Sequence, residues 1–211
     1  MPQFLPAPVN TAMHTGQHYS RRTLLPGKHV YKGGICLGFT LAWLKHVQTG
    51  RKWMSTPTQM EAMLLQQLYC IGISTRDQAR NNWDTEQEEA AFIEKTRSQS
   101  PRLWVQDPRL LHCCQLQGFQ PRYLGEWNAY RILAHLNGLR ASDISTFVLC
   151  SAGHALGLAI REEAVALFDA NTGVTLFSAK EAIDSVQLMH HLNRYLRVAP
   201  FPGFGVLHLK F

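Results

Sequence analysis

Cys36 follows Gly33-Gly34-Ile35 and opens the apolar run Leu37-Gly38-Phe39-Thr40-Leu41-Ala42-Trp43-Leu44. That spacing predicts a helix from Ile35 to Val47 with the thiol on its first turn, ended by Gly50. The position bears on chemistry because the thiolate, not the thiol, is the strong nucleophile. A helix N-terminus supplies outward-pointing N–H groups and the positive end of the dipole, and both stabilise a thiolate. Such a cysteine can attack a carbonyl carbon if a base stands beside it.

The second half of the chain offers that base and a group to orient it. His154 lies in Ser151-Ala152-Gly153-His154-Ala155-Leu156-Gly157, and Asp169 lies in Phe168-Asp169-Ala170-Asn171-Thr172-Gly173. The two segments read as strands joined at Arg161-Glu162-Glu163, the only polar break between them. A loop of two or four residues puts His154 and Asp169 on one face, opposite each other or one diagonal step apart. A three-residue loop puts them on opposite faces. On the even register His154 would take the thiol proton, and Asp169 would accept the other imidazole N–H and fix the tautomer. The backbone N–H of Cys36 is a natural oxyanion donor. The second donor stays open, since the nearest upstream side-chain amides are Asn10 and Gln17.

Taken singly, each residue has a plainer reading. Free cysteine is among the most buried residue types, a histidine in an apolar strand is often a core residue, and Asp or Asn before Gly is ordinary turn chemistry. Asn171 could also orient the histidine in place of Asp169. Order and spacing raise the three residues above these readings.

The elements around them divide the chain. Residues 1–28 are aperiodic, open with Pro2, Pro6 and Pro8, and read as a flexible leader. Thr56-Pro57-Thr58-Gln59 predicts a helix start with a cap at Thr56 and a capping-box glutamine, running to about Cys70. Thr75 to Arg97 is read as helical, with Trp83, Ala90, Ala91 and Ile93 facing inward. Asp107-Pro108 opens a short helix that Gly118 ends, and Trp127 to Leu139 is amphipathic. Thr146–Ser151, Ala155–Ile160, Ala164–Asp169 and Val174–Phe177 read as strands, Ala179–Tyr195 as a helix and Gly205–Lys210 as a last strand. Helices first and antiparallel strands second give an α+β fold class, with residues 29–211 as one domain.

Composition excludes other classes. The chain of 211 residues is 45% hydrophobic, enough for a sizeable core, with no apolar run long enough to span a membrane. No Sec signal is visible. Ser20-Arg21-Arg22 is not followed by the apolar stretch that a twin-arginine signal needs. Five cysteines, an odd number without a C-x-x-C pair, argue against a disulfide framework or zinc site and for a reducing compartment. His14 and His18 have metal-ligand spacing, but Pro8 and Gly16 oppose a helix there, and His190-His191 has no metal spacing. No metal or cofactor is expected. The net charge of +6 comes without a basic run or basic-aromatic interleaving, so no nucleic-acid partner is expected.

With these residues in view, the chain resembles the YopT/AvrPphB-type cysteine proteases, a papain-like family of bacterial effectors and toxins. The resemblance is carried by Gly34-Ile35-Cys36-Leu37-Gly38-Phe39-Thr40 with Trp43-Leu44 behind it, by Gly153-His154-Ala155, and by Phe168-Asp169-Ala170-Asn171 ending in Gly173. It implies a papain-like fold with a helix-rich N-terminal half on a central antiparallel sheet flanked by helices. It implies Cys36 as nucleophile, His154 as base and Asp169 as orienting acid, in a protease that cleaves a peptide bond in a protein of a target cell. A chaperone or immunity protein is the further partner it implies, with secretion that bypasses Sec and action in the target-cell cytosol. A papain-like deamidase or acyltransferase would use the same three residues, and a non-catalytic interaction domain could keep the fold without them.

Overall fold

The computed structural model describes residues 3–6, 36–58, 60–65, 68–69, 100–139, 144–151, 154–162, 164–178, 182–197 and 202–211. The helix read over Thr75 to Arg97 lies outside them. In chain order the elements are β1 (Gln3–Pro6), α1 (Cys36–Gln48), α2 (Pro101–Val105), α3 (Pro108–Leu116), β2 (Gln120–Trp127), α4 (Ala129–Gly138), β3 (Ser145–Ser151), β4 (His154–Arg161), β5 (Ala164–Asp169), β6 (Gly173–Ser178), α5 (Ala182–Arg197) and β7 (Phe204–Lys210). Residues 60–65 and 68–69 are also helical.

The strands form one seven-stranded sheet in the order β1-β6-β5-β4-β3-β7-β2, antiparallel throughout. Helices cover both faces, which is why β3, β4 and β5 read as continuous apolar runs rather than alternating ones. On one face α1, α2 and α3 pack against Val148, Cys150, Ala155, Ala159, Ala166 and Phe168. On the other, α4 and α5 pack against Phe147, Leu149, Leu156, Leu158, Val165 and Leu167. The α+β class is as the sequence predicts.

α1 is the central helix of the first layer. Leu37, Phe39, Leu41, Trp43, Leu44 and Val47 are all buried on it, so it is apolar around most of its circumference, as a helix enclosed by the fold must be. Gly50 ends it at φ +82°, the left-handed backbone that glycine adopts without a Cβ clash. Three positions along one side, Cys36, Thr40 and Trp43, meet β4. Thr40 Oγ1 donates to the Ala155 carbonyl at 3.1 Å, and the Trp43 ring stacks on Phe168 of β5 at 5.3 Å. Gly157 leaves room for that ring: a Cβ there would stand 2.8 Å from Trp43 Cε3.

Several local expectations shift. The capping box sits two residues later than predicted. Glu61 accepts from the Thr58 backbone N–H at 2.7 Å while its own N–H donates to Thr58 Oγ1 at 3.2 Å, because Glu61, a carboxylate, is three residues after Thr58. β2 was not expected as a strand, since Pro121 and Gly125 interrupt its pattern. It is tolerated because β2 lies at the sheet edge and carries a bulge between Tyr123 and Gly125, where Gly125 adopts φ +129°. Within the leader, Gln3–Pro6 is the opposite edge strand, paired with Gly173–Leu176 of β6. That piece therefore belongs to the sheet, and the rest of residues 7–35 lies outside the described residues.

Gly157→Ala should drive the new methyl into Trp43 and push α1 off β4. The expected loss is about 1–3 kcal/mol of stability, read by urea denaturation. A midpoint unchanged from wild type would show that the Trp43 ring has slack here.

Candidate active site

The β4–β5 hairpin determines the site's geometry. Arg161 pairs with Ala164 and Leu156 with Asp169, so two residues separate the paired ends of the hairpin. The loop is even, so His154 and Asp169 share a face, one diagonal step apart. His154 Nε2 lies 2.8 Å from Asp169 Oδ1, with the Asp169 side chain 4% exposed and that of His154 23% exposed.

Cys36 arrives from the other helical layer. It is the first residue of α1, whose first turn contains no acidic residue, and its thiol hydrogen-bonds the His154 side chain. The Thr40 hydrogen bond to Ala155, next to His154 in the chain, fixes α1 and β4 one helical turn from the thiol. The structure therefore brings Cys36, His154 and Asp169 into one hydrogen-bonded line where the two layers meet at the sheet end.

The electrostatics follow from that line. Burial opposes the Cys36 thiolate, but the hydrogen bond and positive charge of His154, with the Ala155 backbone, outweigh it and lower the thiol pKa. The α1 dipole acts in the same direction. Burial likewise opposes a charged His154, yet the hydrogen bonds its ring donates to Asp169 and Cys36, and their negative charges, raise its pKa. Asp169 is held below the usual carboxylate range against its own burial, first by His154 and then by Tyr195 and the Asn171 N–H. Both shifts favour a thiolate at Cys36 beside a protonated His154, with a carboxylate behind them.

Asp169 accepts from four groups. Besides His154 these are the Asn171 N–H at 2.9 Å, Thr172 Oγ1 at 3.1 Å and the Tyr195 hydroxyl of α5. The Tyr195 ring also stacks on the His154 ring, with centroids 5.6 Å apart and planes 16° apart. Sequence reasoning missed Tyr195. Its one signal is that it continues the inward stripe of Leu188 and Leu192 on α5 with a polar tip, and a buried tyrosine hydroxyl seeks a partner. The Asn171 side chain is not among the groups bonded to His154; its backbone N–H serves Asp169 instead.

The other described cysteines have a different character. Cys113, Cys114 and Cys150 are buried, and burial pushes their thiols up, Cys113 to about 11. Cys113 and Cys114 pack inside α3 as free thiols. Among the described residues no group of His, Cys, Asp or Glu could hold a metal ion, and no helix is long and apolar enough to cross a membrane.

No protein-family model and no curated protein matches the chain at the sequence level. Solved structures do. The chain is similar to the Pseudomonas avirulence protein AvrPphB at 14% identity over 84% of this chain and 92% of that one, with a TM-score of 0.53. PatoxP, a cysteine protease-like domain of the Photorhabdus asymbiotica toxin PaTox, matches at 13% identity over 94% of this chain and 57% of that one, with a TM-score of 0.44. The ubiquitin-specific protease encoded by murine cytomegalovirus tegument protein M48 matches at 10% identity over 98% and 84%, with a TM-score of 0.43. The likeness to AvrPphB establishes the fold as the papain-like α+β arrangement that the sequence resemblance implied.

The lowered thiol pKa has a direct readout. Iodoacetamide should alkylate Cys36 with a midpoint below the ordinary thiol value of 9.0, while Cys113 stays inert until far higher pH. His154→Ala removes the side chain that contributes most to lowering the Cys36 pKa but leaves its burial, so the midpoint should rise. An unchanged midpoint in that variant would break the assigned pairing.

Proposed function

We propose that the chain is a papain-like cysteine protease of the bacterial effector or toxin type, which cleaves a peptide bond in a protein substrate. The observation that carries this reading is the His154 ring, hydrogen-bonded by the Cys36 thiol on one side and by the buried Asp169 carboxylate on the other. A buried thiol of purely structural use has a raised pKa, as Cys113 and Cys150 do; Cys36, in the same chain, has a lowered one.

The chemistry follows from those positions. The Cys36 sulfur attacks the peptide carbonyl carbon, forming a C–S bond while the carbonyl π electrons move to oxygen. The N-terminal turn of α1 lies beside the developing oxyanion and favours negative charge there. His154 passes its proton to the leaving amine as the C–N bond breaks, leaving a thioester and the released amine. His154 then takes a proton from water, whose oxygen attacks the thioester, and the Cys36 thiolate and a carboxylic acid are released. Asp169 stays ionised and holds the ring tautomer. Tyr195 limits rotation of both partners by its stack and its hydrogen bond.

The likeness to an avirulence protein supports placing the substrate in a target cell. A chaperone or immunity protein is the partner class that accompanies this reading.

Cys36→Ala should abolish cleavage, a loss of about 10⁴-fold or more, with folding intact by circular dichroism. Activity in the wild-type chain should follow a bell-shaped pH profile. Its acid limb reports Cys36 ionisation below 9.0, and its alkaline limb reports His154 deprotonation above 6.5. Mass spectrometry of a treated target-cell lysate should reveal new peptide termini. A gain of about one dalton on an intact chain, the amide-to-acid change of acyl-transfer chemistry, would replace the protease with a deamidase. Undiminished function of Cys36→Ala would make the domain a binding module.

A further inference from the structure

We propose that the flank of α5 beside the site, built from His190, His191, Arg194 and Arg197, receives an acidic segment of the protein on which the enzyme acts. This rests on the thiol-enzyme reading only in calling that protein a substrate.

The flank carries the positive charges of two arginines. His190, Arg194 and Arg197 are exposed at the i, i+4, i+7 spacing of one helix side, and His191 is half-buried beside them. α5 carries a single acid, Asp184, which is buried with Oδ2 accepting the Ser178 backbone N–H at 2.7 Å. Among the described residues no carboxylate lies within ion-pair distance of Arg194 or Arg197. Two other arginines are matched by carboxylates: Arg109 Nε donates to Asp107 Oδ1 at 2.8 Å, and Arg51 lies 3.7 Å from Glu61. Arg194 and Arg197 stand in the last turn, where the helix dipole favours positive charge. His191 sits a turn earlier, where burial, His190 and Arg194 together hold its imidazole below its ordinary pKa, so the positive charge of the flank rests on the two arginines.

The flank also leads to the chemistry. Tyr195, between Arg194 and Leu196, stacks on His154 and donates to Asp169. The charges of Arg194 and Asp169 both reach His191. A chain lying along this side with carboxylates against the arginines would arrive at His154 and the thiol. That continuity with the site favours a protein segment over a flat anionic membrane or a nucleic acid.

The test uses the full chain carrying Cys36→Ala and fluorescein-labelled decapeptides of alternating Glu-Gly, Ser-Gly and Lys-Gly, followed by anisotropy. The Glu-Gly peptide should bind about tenfold tighter than Ser-Gly and weaken with salt. Arg194→Glu with Arg197→Glu should remove that preference, and Arg194→Gln with Arg197→Gln should do so if the first pair misfolds. In the wild-type chain the Glu-Gly peptide should slow iodoacetamide alkylation of Cys36. Equal binding of the three peptides, binding indifferent to the arginines, or binding without protection of Cys36 would each overturn the proposal. So would phosphatidylserine vesicles or an oligonucleotide bound tighter than Glu-Gly through the same arginines. The anisotropy assay contains no nucleophile, so its outcome is independent of whether the chain proves to be a protease.

Discussion

The contact between α1 and β4 is the constraint on which the site depends. Neither element has a competent group alone: α1 brings a thiol, and β4 brings an imidazole at its first residue. Their meeting is held by Thr40 on the Ala155 carbonyl and by Trp43 lodged over Gly157 and stacked on Phe168. These lie one and two turns along α1 from Cys36, so a shift of the helix by a fraction of a turn would separate sulfur from ring. Core packing tolerates such shifts poorly, because interiors are close-packed and respond to volume changes of a single methylene. The precision that the proposed thiol chemistry needs is therefore supplied by the packing of α1 on the sheet.

The second requirement is electrostatic. A buried charge without partners costs several kcal/mol, and a pair is tolerated only when hydrogen bonds occupy its remaining capacity. Asp169 meets that condition with donors from His154, Asn171, Thr172 and Tyr195. Two of these come from the turn that follows β5 and one from α5. The carboxylate thus ties β4, β5, their following turn and the second helical layer to one atom group. The same ties that keep Asp169 ionised also fix His154 in place.

Much of this was legible in the sequence, for identifiable reasons. The apolar run after Gly33-Gly34 marked α1, Asp107-Pro108 and Gly118 bracketed α3, and apolar stretches between turn residues marked β3 to β6. The hairpin parity reduced the relation of His154 to Asp169 to one question, loop length, which the register answers as two. What was not legible is tertiary. Nothing local ties Tyr195 to Asp169, 26 residues apart, or Thr40 to Ala155. The hints were a threonine within the apolar run Leu37 to Leu44 and a tyrosine on an inward stripe. β2 and β1 escaped because edge strands tolerate the proline and glycine that make a segment read as loop.

The central claim is that Cys36 and His154 form a thiolate–imidazolium pair, and nitrogen NMR of the His154 ring tests it most directly. In the full-length wild-type chain at neutral pH both ring nitrogens should carry protons, and His154 should titrate above its ordinary value of 6.5. Cys36→Ala removes the thiolate that stabilises the imidazolium, so its titration should move to lower pH. A His154 ring neutral at pH 7 in the wild type, with a titration indifferent to Cys36→Ala, would contradict the account.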